Sequence, residues 1–192
     1  MTKGSIIGPA TILTLIRIIM VIPFVTLIYI GNHTALTAAL VLFTVASLTD
    51  YLDGKIARAR NEVTDIGKFL DPLADKIFVV SAYIVLLGIK SINIPSWPII
   101  LIISREFIIN GFRTMAASKG LILAASTAGK IKTAVQMISV ILLLLILIAD
   151  VYHKFAAVII YIASFLSVFS GIEYMIKNRR IFFHYNSKEE TE

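Results

Sequence analysis

Residues 138–149 read Ile138-Ser139-Val140-Ile141-Leu142-Leu143-Leu144-Leu145-Ile146-Leu147-Ile148-Ala149, and Asp150 is the first charged residue after them. One hydroxyl interrupts this apolar run, which reaches back towards Ala128 with little polarity beyond Lys130, Lys132 and Gln136. A helix rises about 1.5 Å per residue and a bilayer's hydrocarbon core is about 30 Å thick, so roughly 20 such residues cross it. The stretch 128–149 therefore predicts a membrane-spanning helix.

Working outward, similar segments occupy 10–30, 35–57, 67–89, 97–117 and 155–176, giving six predicted spans and an all-α, polytopic membrane fold. Gly31-Asn32-His33 and the stretches 91–95 and 150–154 form short turns on one side, while 58–65 and 118–127 are polar connections on the other. The chain is 58% hydrophobic and 16% charged, against about 45–50% and 25% for soluble domains, so its solvent must be lipid. The first apolar segment is too long for a signal core and lacks a small-residue cleavage pattern, so it counts as a span. No Pro-, Gly- or Ser-rich linker divides the chain, which predicts one membrane domain over 1–192. The absence of cysteine excludes disulfides, thiolate catalysis and thiolate metal sites.

Of the 18 Lys and Arg residues, Lys90 and Lys154 alone fall on the side of the short turns. Basic residues flanking spans mark the cytoplasmic side, so both termini are expected there. The basic excess is thus assigned to topology and anionic ligands, and no nucleic-acid partner is expected.

Four acids do not serve topology. The second predicted span ends Thr49-Asp50-Tyr51-Leu52-Asp53-Gly54-Lys55-Ile56-Ala57-Arg58, and the third begins Thr64-Asp65-Ile66-Gly67-Lys68-Phe69-Leu70-Asp71-Pro72-Leu73-Ala74-Asp75. On helices, Asp50 and Asp53 share a face, as do Asp71 and Asp75. The short connection predicts antiparallel neighbours on which the two pairs converge. Converging carboxylates repel one another, and a hard divalent cation with oxygen ligands resolves that repulsion. Mg²⁺ or Mn²⁺ suits a phosphate substrate, and two ions would clamp a diphosphate. Gly54 and Ala57 remove bulk beside the acids, Arg58 offers a planar fork to a phosphate, and Thr64 can cap the third helix, whose positive end favours an anion. Gly67 allows close helix packing.

The string Asp50-x2-Asp53-Gly54-x2-Ala57-Arg58-x8-Gly67-x3-Asp71-x3-Asp75 resembles the signature of the CDP-alcohol phosphotransferase family at every specified position. That resemblance implies a metal-dependent membrane transferase in phospholipid biosynthesis. Asp50, Asp53, Asp71 and Asp75 would be metal ligands, with Asp75 also the general base. Gly54, Ala57, Arg58 and Thr64 would form the nucleotide pocket. Further segments, Phe69 to Lys76, Arg105-Glu106-Phe107, Gly111-Phe112-Arg113, Gly129 to Ala134 and Ser170-Gly171-Ile172-Glu173-Tyr174, are similar to those of members that use glycerol 3-phosphate. The implied reaction joins the phosphatidyl group of CDP-diacylglycerol to the 1-hydroxyl of glycerol 3-phosphate and releases CMP, at the cytoplasmic face of the membrane lipid. A homodimer is the assembly the resemblance implies.

An acceptor with its own phosphate calls for cations in a partly desolvated place. Arg105 and Arg113 lie eight residues apart on one broad side of the fourth span, and Lys130 and Lys132 open the fifth, making these four the candidate acceptor contacts. Glu106 and Glu173 are expected to hold those cations in place. Against this stands a purely structural reading, in which Arg105 and Glu106 pair and the lysines snorkel to headgroups. Rival functions are the same chemistry on another acceptor (phosphatidylglycerol, serine or inositol phosphate) and, from a different class, a cation transporter with ion-carrying aspartates.

Overall fold

The computed structural model describes residues 9–60, 65–118, 121, 123 and 126–179, with side chains at 15–49, 76–118, 121, 123 and 126–179. Among the described residues the fold is six α-helices without a strand: α1 Pro9–Ile30, α2 His33–Arg60, α3 Asp65–Leu87, α4 Ser96–Ser118, α5 Thr127–Ala149 and α6 His153–Lys177. The sequence punctuates them locally. Gly31 ends α1 with φ +69°, a left-handed conformation that costs glycine little. Asn32 then caps α2, its Oδ1 accepting from the Ala35 N–H at 2.8 Å. Ser126 caps α5 in the same way, its Oγ accepting from the Gly129 N–H at 3.0 Å, so Lys130 and Lys132 stand in that helix's first turns. The third helix stops at Leu87, earlier than the apolar run suggested. Gly88 N–H bonds back to Val85 C=O, and a short 3-10 turn, Lys90–Ile92, closed by Asn93 at φ 40°, carries the chain onward.

The chain divides into two compact units, residues 1–94 with 137–157 and residues 95–136 with 158–192. In the first, α1 packs on both α2 and α3. Phe24 of α1, Phe43 of α2 and Phe78 of α3 meet with ring centroids 5.3 to 5.7 Å apart, all essentially without exposure. Such aromatic pairs contribute about 0.5–1.5 kcal/mol each beyond their buried area. Tyr83 of α3 is fully buried, and its hydroxyl meets Ser139 Oγ of α5 at 2.6 Å, which satisfies both groups away from water.

In the second unit α4 and α6 run side by side. Trp97 meets Tyr161, Arg105 meets Ser170 and Phe112 meets Tyr174, so partners advance together along both helices and the pair is parallel. Near their C-terminal ends Ile109, Phe112 and Tyr174 form a small apolar core.

Polarity is arranged inside out relative to a water-soluble protein. Arg17, Glu106, Lys132, Gln136, Ser139, Ser164, Ser167 and Ser170 are buried, while Phe165, Phe169, Ile172 and Ile176 of α6 project from the surface. Lipid explains both halves, since it neither repels apolar surface nor hydrates polar groups. Helices α5 and α6 are each long and apolar enough to cross a membrane; the described apolar parts of α1, α2 and α3 are Leu15–Ile30, His33–Thr49 and Lys76–Leu87. Helix α4 has the length, but Arg105, Glu106 and Arg113 break its apolar character.

Candidate active site

The four aspartates stand on two helices joined through positions 61–64. Asp50 and Asp53, with Gly54, Ala57 and Arg58, occupy the C-terminal part of α2, while Asp71 and Asp75 lie in the N-terminal part of α3. Their side chains lie outside the described residues, as does Thr64, next in the chain before Asp65. The buried Phe43–Phe78 stack ties α2 to α3. Along the helix axes, that stack lies about 10 Å from Asp50 and about 5 Å from Asp75, at 1.5 Å per residue. The aromatic cluster therefore anchors α2 to α3 near the helix segments that carry the acids. Among the described residues there is no group of three or more His, Asp or Glu side chains able to hold a metal.

A second polar cluster is built in the other unit. Glu106 of α4 is buried, and three donors converge on its Oε1: Arg105 Nη1 at 3.3 Å, Gln136 Nε2 at 3.5 Å and Lys132 Nζ, whose side chain is only 5% exposed. Arg105 and Glu106 are neighbours in sequence and would point apart on an ideal helix. Their contact depends on the guanidinium being turned, and α6 turns it: Nη2 donates to Ser170 Oγ at 3.0 Å. Ser170 in turn donates its single proton to Ser167 C=O at 3.0 Å, so its lone pairs are directed at Arg105.

Of the four candidate acceptor contacts, Arg105 and Lys132 are thus gathered on one carboxylate, whereas Arg113 and Lys130 are exposed. The Arg105–Glu106 pair exists, as the structural reading required, but it also recruits Lys132 from another helix. Glu173, expected beside Glu106 as a holder of cations, makes no ion pair among the described residues. Its Oε2 is buried without a hydrogen-bond partner, like Arg105 Nε, Ser167 Oγ and Tyr174 OH. Buried polar atoms of this kind are rare and call for a partner.

Sequence reasoning missed Gln136 and the part played by Ser170 and Gly171. Gln136 sits one turn beyond Lys132 on α5, and that four-residue spacing was its available signal. Arg17 of α1 is likewise buried, at 8% exposure, and engaged in an interaction.

A family model described as CDP-alcohol phosphatidyltransferase matches residues 9–169. The chain is 46% identical over 143 residues, 73% of each chain, to the CDP-diacylglycerol–glycerol-3-phosphate 3-phosphatidyltransferase of Bacillus subtilis (strain 168). It is 37% identical over 168 residues to the enzyme of the same name from Rickettsia typhi, covering 84% of this chain and 92% of that one. It is also 36% identical over 182 residues to a probable phosphatidylglycerophosphate synthase of Mycobacterium tuberculosis, covering 93% and 85%. The aspartate string lies inside the matched region, and the chain belongs to the CDP-alcohol phosphatidyltransferase family.

Proposed function

We propose that this chain is a phosphatidylglycerophosphate synthase: it joins the phosphatidyl group of CDP-diacylglycerol to glycerol 3-phosphate, giving phosphatidylglycerol phosphate and CMP. The names of the relatives support the reaction. The observation that carries the acceptor assignment is the gathering of Arg105 and Lys132 in a buried place with Arg105 Nε left without a partner. A phosphate oxygen supplies what that donor lacks, and a guanidinium matches phosphate geometry. Inositol carries no charge to repay such burial, and serine's carboxylate is offset by its own ammonium, whereas a phosphate brings net negative charge. The exposed Arg113 and Lys130 extend the positive charge to where a soluble substrate arrives.

In this reading the six helices all cross the membrane, both termini are cytoplasmic, and the site opens at the cytoplasmic interface. That placement lets a water-soluble acceptor meet a donor with two acyl chains. The 1-hydroxyl oxygen of glycerol 3-phosphate bonds to the lipid-side phosphorus, the bond from that phosphorus to the CMP oxygen breaks, and Asp75 takes the hydroxyl proton. Gly54, Ala57, Arg58 and Thr64 hold the cytidine diphosphate. The donor set of four carboxylates, with no thiolate in the chain, fits a hard divalent ion. Asp50, Asp53, Asp71 and Asp75 would hold Mg²⁺ or Mn²⁺, two ions in all, and bound metal supplies charge neutralisation at the departing phosphate. The working unit is a homodimer.

The test is turnover of the purified protein with CDP-diacylglycerol and a panel of acceptors: glycerol 3-phosphate, phosphatidylglycerol, serine and inositol phosphate. Phosphatidylglycerol phosphate and CMP should form with glycerol 3-phosphate and with none of the others at comparable rate. Preference for another acceptor would overturn the assignment.

A further inference from the structure

We infer that Ser170 and Gly171 of α6 are positioning residues for acceptor binding, a notch and a hydrogen-bond acceptor that together fix where the Arg105 guanidinium stands. The inference rests on the reading of Arg105 as a phosphate contact. An arginine side chain is long and flexible, and a phosphate site needs its fork held in one place. Glu106, the adjacent residue on the same helix, grips one guanidinium nitrogen, and Ser170 grips another from across the helix interface at 3.0 Å. Between them the stem lies directly over Gly171. A Cβ built on Gly171 would come within 2.9 Å of Arg105 Cγ, 3.1 Å of Nε and 3.6 Å of Cδ.

The identity of those atoms matters. Cγ is near the root of the side chain, so it cannot swing aside as a terminal atom would. Any residue larger than glycine at 171 must lift the stem, and the guanidinium moves with it. Small residues at helix–helix contacts let neighbouring side chains approach the backbone, and Gly171 does this for Arg105. Gly111 of α4 gives the contrast, because a Cβ there would meet nothing within 4 Å. Gly171 and Gly111 therefore predict opposite responses to the same substitution.

The experiment is steady-state kinetics on the full-length purified protein, varying glycerol 3-phosphate and CDP-diacylglycerol separately. Gly171→Ala should raise the KM for glycerol 3-phosphate roughly ten- to a hundredfold, the scale of a displaced binding group. The KM for CDP-diacylglycerol should stay at the wild-type value, and Gly111→Ala should leave both unchanged. The decisive arm is the double variant. Where Arg105 is already Ala, the Cβ at 171 enters empty space, so adding Gly171→Ala to Arg105→Ala should change nothing further. A penalty that persists at full size in the Arg105→Ala background would assign Gly171 to helix packing and overturn the inference, as would a wild-type KM in Gly171→Ala. Should Gly171→Ala fail to fold, Ser170→Ala adds no bulk and removes the acceptor for Nη2, and it should raise the same KM about three- to tenfold. A silent Ser170→Ala would then refute the positioning role. Arg105→Ala separates the two levels. If it leaves the KM for glycerol 3-phosphate unchanged, the phosphate-contact reading itself is wrong, whereas a raised KM with silent Gly171 and Ser170 variants sinks the positioning inference alone.

Discussion

Replacing Glu106 with Gln keeps the size of the side chain and one acceptor oxygen but removes the charge on which two buried cations converge. With Arg105 Nη1 at 3.3 Å from Glu106 Oε1, the attraction at an effective dielectric near 20 is about 5 kcal/mol. Desolvation offsets part of this in the native pair, and deletion of one member of a buried pair costs about 3–5 kcal/mol. For a chain of this length each kcal/mol lowers Tm by about 2–4 °C, so Glu106→Gln should lower it by about 6–20 °C. A second consequence distinguishes a ligand site from a structural ion pair. Cations released from their carboxylate should take up an anion, and phosphate at a hundred times its Kd contributes about 2.7 kcal/mol. Inorganic phosphate should therefore restore about 5–11 °C in the variant and less in the wild type. Trp97, the one tryptophan in the chain, packs beside Tyr161 with the rings tilted by 44° in the same unit, and reports unfolding by fluorescence in mild detergent. A Tm within 2 °C of wild type would refute the role of Glu106 as the hub of the cluster. A large fall in Tm with no added benefit from phosphate would leave the cluster purely structural.

Three further outcomes are expected. Asp50→Asn, Asp53→Asn and Asp71→Asn should each weaken Mg²⁺ or Mn²⁺ binding and lower the rate, and wild-type activity should vanish in chelator; full turnover in chelator would remove the metal from the mechanism. Asp75→Asn should lose about 10²–10⁴-fold in kcat while CDP-diacylglycerol still binds, and recovery of that rate at high metal concentration would make Asp75 a ligand rather than the proton acceptor. Arg113→Ala and Lys130→Ala should raise the KM for glycerol 3-phosphate most at low ionic strength, because both side chains are exposed and screened by salt, whereas Lys132→Ala, at a buried site, should act at all salt concentrations; equal salt dependence of the three would refute this division between approach and binding.

Helix placement was legible where a helix is bounded by residues whose local chemistry admits few conformations. Gly31 followed by Asn32 can end one helix and cap the next, and the structure uses them so. The end of α3 was not legible to the same degree. The apolar run continues through Ile89, yet the helix stops before Gly88, which hydrophobic pattern cannot sense because both the helix and the turn beyond it are apolar. The aspartate string was legible as a family signature, and the family match over residues 9–169 bears out that much; its side chains lie outside the described residues. The cation cluster was only half readable. Spacing placed Arg105 and Arg113 on one side of α4, but spacing carries no depth, and one is nearly buried while the other is exposed. Depth is decided by α6, where Gly171 opens the room that Arg105 fills. The sign of that room was present as Ser164, Ser167, Ser170 and Gly171, small residues at three- and four-residue spacing in a helix otherwise rich in bulky apolar side chains. In a protein dissolved in lipid, large apolar residues lie both inside and out and so say little about which face is buried. The small and polar residues mark the interior, and from them the neighbours of Arg105 could have been read.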